Sequence, residues 1–116
     1  MSIRNFGQIT SLQLAMLMLS GFQLTRENGA TELILCENEK LSVMSMIEGS
    51  KILNKTTEQD FGYSLAKWHD FLVNSEKFSA QYMWPRTWDK VRDSVLREIA
   101  NPDRSRLENL AGQSDS

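Results

Sequence analysis

The sequence predicts an α+β fold: an N-terminal helix, a three-stranded antiparallel meander, and a helical C-terminal half packed on the sheet. Three observations predict it. The apolar run "LQLAMLMLSGF" at 12–22 follows two residues suited to cap a helix. Asn28 and Gly29 then separate two alternating segments, the strongest short-range hairpin signal a sequence carries. Farther on, Phe61, Leu65, Trp68 and Leu72 recur at offsets of 0, 4, 7 and 11, as one face of an amphipathic helix requires.

The first helix is capped by Thr10 or Ser11 and ended by Gly21. Its residues leave only a narrow polar edge at Gln13 and Ser20. A helix that is apolar nearly all round has to be covered on more than one side, and in so small a domain a second subunit is one source of that cover. Strands are expected near 22–26, 31–36 and 41–47, the third with Leu41, Val43, Ser45 and Ile47 on one face and Met44 and Met46 on the other. The third is ambiguous, because Leu41, Met44 and Ile47 also fit a helical stripe.

Glu48, Gly49 and Ser50 are expected to break the pattern, and Thr56 with Gln59 makes a capping box for a helix over 57–73. A short helix over 76–83 follows, capped by Ser75. Pro85 suits the first turn of another helix, which stops at Asn101 and Pro102. The last helix runs over 103–111. The 116 residues, 41% hydrophobic, thus form one domain over 1–112 with a disordered tail at 113–116.

Thirteen basic against fifteen acidic residues leave a net charge of -2, the signature of neither a strongly basic nucleic-acid binder nor a carboxylate-rich DNA mimic. The lone cysteine, Cys36, forms no internal disulfide, which makes a reducing cytoplasm the expected location. The run at 12–22 is too short to span a bilayer and lacks a signal-peptide cleavage pattern, so no membrane association is expected.

No catalytic signature survives inspection. His69 is the only histidine, and Asp70 beside it points about 100° away on a helix, so the two do not form a base with its orienting carboxylate. One histidine and one cysteine do not make a zinc site. Scattered glycines leave no phosphate-cradling loop. Glu27, Glu32, Glu37 and Glu39 cluster without calcium-loop spacing and read as a charged face that discourages strand pairing. No cofactor, metal or catalytic residue is assigned.

What the sequence offers is a binding surface. "FSAQYMWPRTW" at 78–88 holds four of the chain's ten aromatic residues. Tryptophan, tyrosine and arginine are the types enriched in interface hot spots, so Tyr82, Trp84, Arg86, Lys90 and Arg92 are the candidate partner-binding residues. Met16, Met18, Met44 and Met46 suggest a dimer interface or partner groove, since flexible thioethers suit adaptable surfaces. The expected function is that of a small non-catalytic regulator, inhibitor or adaptor acting on a larger protein, with homodimerisation open. Two alternatives stand beside it. One is a nucleic-acid-binding regulator using 86–106, although six basic residues there meet four acidic ones and Asp93 is placed to pair with Arg97. The other is an enzyme with an unrecognised carboxylate site.

Overall fold

The computed structural model describes residues 3–4, 9–27, 30–35 and 38–114. Its helices are α1 (Ser11–Leu19), α2 (Glu39–Thr57), α3 (Leu65–Asn74), α4 (Ser79–Tyr82), α5 (Trp88–Ile99) and α6 (Arg104–Ser114). Among the described residues, strand is confined to β1 (Ile3–Arg4), β2 (Phe22–Glu27) and β3 (Ala30–Leu35). Of these, β3 pairs antiparallel with both others, placing Phe22 opposite Leu35 and Ile3 opposite Ile34. The protein is therefore mostly helical, and the expected α+β architecture, a helical half carried on a three-stranded meander, is overturned. The helices supply most of the core whose burial is described, and Phe22 joins it from β2.

The error lies in residues 41–47, expected as the third strand and found in the middle of α2. Val43, Met46, Ser50, Leu53 and Thr57 are all buried at spacings of three and four, a helical stripe far longer than the alternation that suggested a strand. Asn38 opens the helix, its side chain accepting from the Lys40 N–H at 2.8 Å. The stripe passes straight through Glu48, Gly49 and Ser50. These three residues were expected to end an element, yet Gly49 serves close packing instead. A Cβ built there would lie 2.6 Å from the Ala15 carbonyl oxygen and 2.7 Å from the Leu19 nitrogen, so only glycine lets α2 cross α1 at this distance.

The first helix is the centre of the fold. Leu12, Ala15, Met16, Leu17 and Leu19 are fully buried, and α2, α3, α4, α5 and β2 all lie against α1. The cover its apolar surface demands thus comes from this chain's own elements, which removes the reason for expecting a second subunit. Thr10 caps it within a full capping box: the Gln13 N–H donates to Thr10 Oγ1 at 3.2 Å, and the Thr10 N–H donates to Gln13 Oε1 at 3.1 Å. Gly21, at φ 101°, takes the left-handed turn that follows the helix.

The helix expected over 57–73 is also corrected. Residues up to Thr57 belong to α2, which ends at Glu58 with φ 60°, and α3 starts only at Leu65, capped by Ser64. Leu65, Trp68 and Leu72 are buried on α3 as the spacing implied. Phe61 reaches the same face from the connecting loop, its ring edge-on to Trp68 at 4.9 Å. The short helix α4 occupies Ser79–Tyr82, within the span expected. At the other end, α6 continues through Ser114, past the helix end expected at 111. The turn at Asn28 and Gly29 lies outside the described residues.

One buried cation joins the helix ends. Arg104 is 6% exposed and opens α6. Its Nη2 donates to the Leu19 carbonyl at 2.8 Å, at the C-terminal end of α1, and to the Tyr63 carbonyl at 3.3 Å. Its Nε donates to Glu108 Oε2 at 2.7 Å, and that same oxygen accepts from the Leu65 N–H at 3.2 Å, in the first turn of α3. A positive group thus meets the carbonyl end of one helix and a negative group the amide end of another, each where the helix dipole favours it.

The crossing at Gly49 yields a paired prediction. Gly49→Ala destabilises the fold by roughly 1–3 kcal/mol, because backbone atoms of α1 cannot retreat from the added methyl. Gly112→Ala, in a helix where nothing lies within 4 Å of the new Cβ, raises stability by up to about 1 kcal/mol through helix propensity alone. Urea denaturation of both variants checks the opposite signs.

Candidate functional site

Residues 78–92 were the sequence's main functional candidate, and the structure divides them. Tyr82 is fully buried at the end of α4 and is part of the core, so the expectation that it meets a partner is corrected. Its hydroxyl lies 2.8 Å from His69 Nδ1. Its ring stands edge-on to Trp88 at 5.0 Å, and Trp88 in turn stacks on His69 at 6.2 Å and 8°. Burial pushes the Tyr82 phenol well above its usual range, so it stays protonated within this hydrogen bond. Asp70, exposed beside His69, is not its hydrogen-bond partner here.

Gln13 reads as the polar edge of α1 in the sequence, but it is fully buried and spans three segments. Its Nε2 donates to the Tyr82 carbonyl at 2.9 Å, and its Oε1 accepts from Thr87 Oγ1 at 2.7 Å as well as from the Thr10 N–H. Thr10 Oγ1 also donates to the Gln81 carbonyl at 2.9 Å. One buried amide therefore holds residue 82 and residue 87, on either side of the turn that carries Trp84, Pro85 and Arg86. The spacing of Thr10 and Gln13 was a legible capping-box signal, but nothing local identifies the distant partners.

Between those anchors the chain faces outward. Trp84 is 45% exposed, whereas Trp68 is buried and Trp88 half-buried. Pro85 and Arg86 are exposed, and Lys90 is exposed in the first turn of α5. Arg92 is held by its own helix, 3.6 Å from Asp89 and 3.4 Å from Asp93, rather than extended from the surface. Asp93 thereby pairs with Arg92 in place of the expected Arg97. On α5, Val91 and Val95 are buried at a spacing of four, whereas Leu96 is 44% exposed.

The methionines divide in the same way. Met16 and Met46 are fully buried between helices, so neither forms a dimer or groove surface, and Met18 is half-buried. Met44 is 54% exposed and borders an open groove of about 390 Å³ with Val43, Ile47 and Leu110 between α2 and α6. Glu39 at its edge is ion-paired with Arg106. Cys36 and Glu37 lie outside the described residues. Among the described residues no cluster of three or more metal-ligating side chains occurs, and no helix is long and apolar enough to cross a membrane.

No protein-family model, curated protein or solved structure matches the chain.

The half-buried imidazole predicts a pH response. Burial holds His69 below its ordinary value of 6.5, outweighing the opposing pull of Asp70. The unfolded chain then binds the proton more readily, so stability is complete above pH 6.5, falls as pH drops below it, and levels off below the folded-state pKa. Chemical denaturation of wild type and His69→Gln between pH 7.5 and about 5 checks it: the variant lacks this part of the slope.

Proposed function

We propose that the protein is a small non-catalytic binding module, a regulator, inhibitor or adaptor, that acts in a reducing cytoplasm on a larger partner protein. It grips that partner through the ledge formed by Trp84 and Arg86, with Lys90 beside it. The observation that carries this reading is the clamp beneath the ledge, where Gln13 bonds residues 82 and 87 on its two sides. A half-exposed tryptophan on a turn held from below presents a large apolar surface at little cost in conformational freedom on binding. Cys36 as the only cysteine supports the reducing location.

Tyr82 belongs to the support of this ledge rather than its surface, and Arg92 to the ion pairs of α5. The partner is another protein. Self-association loses its main argument once α1 is covered by its own chain, and the acidic residues interleaved along α5 count against a phosphate-gripping ridge.

The test is affinity capture from the native cells with and without nuclease, using wild type, Trp84→Ala and Arg86→Ala. Both substitutions are at the surface and leave stability within about 0.5 kcal/mol of wild type. We expect a stoichiometric protein that survives nuclease and whose affinity falls about tenfold or more, at least 1.4 kcal/mol, in Trp84→Ala. Undiminished capture by both variants, or recovery of nucleic acid alone that moderate salt releases, overturns the reading.

A further inference from the structure

Arg104 has one donor group that the fold leaves unused. Its Nε and Nη2 are bonded as described, but Nη1 is buried and has no hydrogen-bond partner among the described residues. The carboxylate oxygen facing it, Glu98 Oε1, stands 3.6 Å away and accepts instead from Asn101 Nδ2 at 3.1 Å. Arg104, Glu98 and Asn101 together line a cavity of about 180 Å³, bounded also by Ser20 at the end of α1 and Ser42 on α2. Met46 and Leu107 supply its apolar wall. A buried guanidinium with an unmade hydrogen bond beside a polar cavity is a strong acceptor-seeking group, since burial has already removed it from bulk water.

The charge around it narrows the choice of ligand. Arg104 already faces Glu98 and Glu108, so a simple anion adds a third negative charge and a simple cation leaves Nη1 unmade. A molecule carrying both signs satisfies both needs: a carboxylate oxygen on Nη1 and an ammonium toward Glu98, whose oxygens have acceptor capacity beyond the one Asn101 uses. The volume corresponds to roughly six waters at about 30 Å³ each, the size of an amino acid with a very small side chain.

We propose that this cavity is a binding site for a small zwitterion of the α-amino-acid class, glycine to serine in size. It is separate from the Trp84 ledge and does not depend on the partner-binding reading.

Amide-resolved NMR titration of the full chain tests it, with glycine and L-serine as probes and acetate, methylammonium and glycerol as single-function controls. Saturable shifts are expected in the amides of Gly21, Ser42, Asn101 and Arg104, with glycine at least about tenfold tighter than any control. Glu98→Gln abolishes that preference. Ser42→Leu, which fills the cavity from an exchangeable position on α2 without touching the Arg104 bonds, abolishes the shifts in a protein whose remaining spectrum is unchanged. Shifts that do not saturate show a cavity holding only water, and equal binding of acetate or glycerol shows a site without zwitterion selectivity. Either result, or glycine binding that persists in Ser42→Leu, overturns the proposal.

Discussion

A helix that is apolar on nearly every face must be enclosed on nearly every face, and α1 imposes that demand on the rest of the chain. Five of its nine residues are fully buried aliphatic or methionine side chains, each worth roughly 2–3 kcal/mol of transfer free energy for the larger ones. Enclosing so short a segment requires neighbours on several sides, and the chain supplies them in sequence order: α2 crosses it at backbone contact, and α3, α4 and α5 close the other faces. Gly49 is the condition for the first of these contacts. Without it the two backbones separate, and the side chains of Ala15, Leu19 and Met46 lose their packing together.

Enclosure creates a second problem, because the C-terminal end of α1 is buried and backbone groups at both ends need partners. The N-terminal end is met locally by Thr10 and Gln13. The C-terminal end is met from far along the chain by Arg104. That choice brings an ionic group inside, which is tolerable only with compensation, since removing one partner from a buried pair costs on the order of 3–5 kcal/mol. Glu108 provides it and at the same time serves the first turn of α3. Two residues one helical turn apart on α6 thereby tie together the end of α1, the loop before α3 and the start of α3 itself.

How much of this could be read in advance depended on the range over which each signal acts. Thr10 as a cap, Gly21 as a stop, and the stripe Leu65, Trp68, Leu72 all rest on neighbours within one or two turns, and each was legible. The failure at 41–47 came from reading a seven-residue window, in which alternation and helical spacing overlap, and from treating Gly49 as punctuation. The longer stripe from Val43 to Thr57 was present in the sequence, but the use of Gly49 is evident only once α1 lies against it. Arg104 had no local signal at all: it was one basic residue among six, and its partners at 19 and 63 are supplied by the fold.

The same distinction governs the candidate site. Tyr82, Trp84 and Trp88 look alike in sequence, three amphipathic aromatics within seven residues. What separates them is hydrogen bonding. The Tyr82 hydroxyl has His69 to meet inside the core, so burial leaves it satisfied, and Trp88 closes that ring cluster by stacking. Trp84 falls on the intervening turn, where the backbone is held by Gln13 from below and the side chain has only the outward direction left to it. Its exposure follows from the anchoring of its neighbours. A surface that arises this way is stiff, and stiffness is what allows one ring and one guanidinium to act as an anchor.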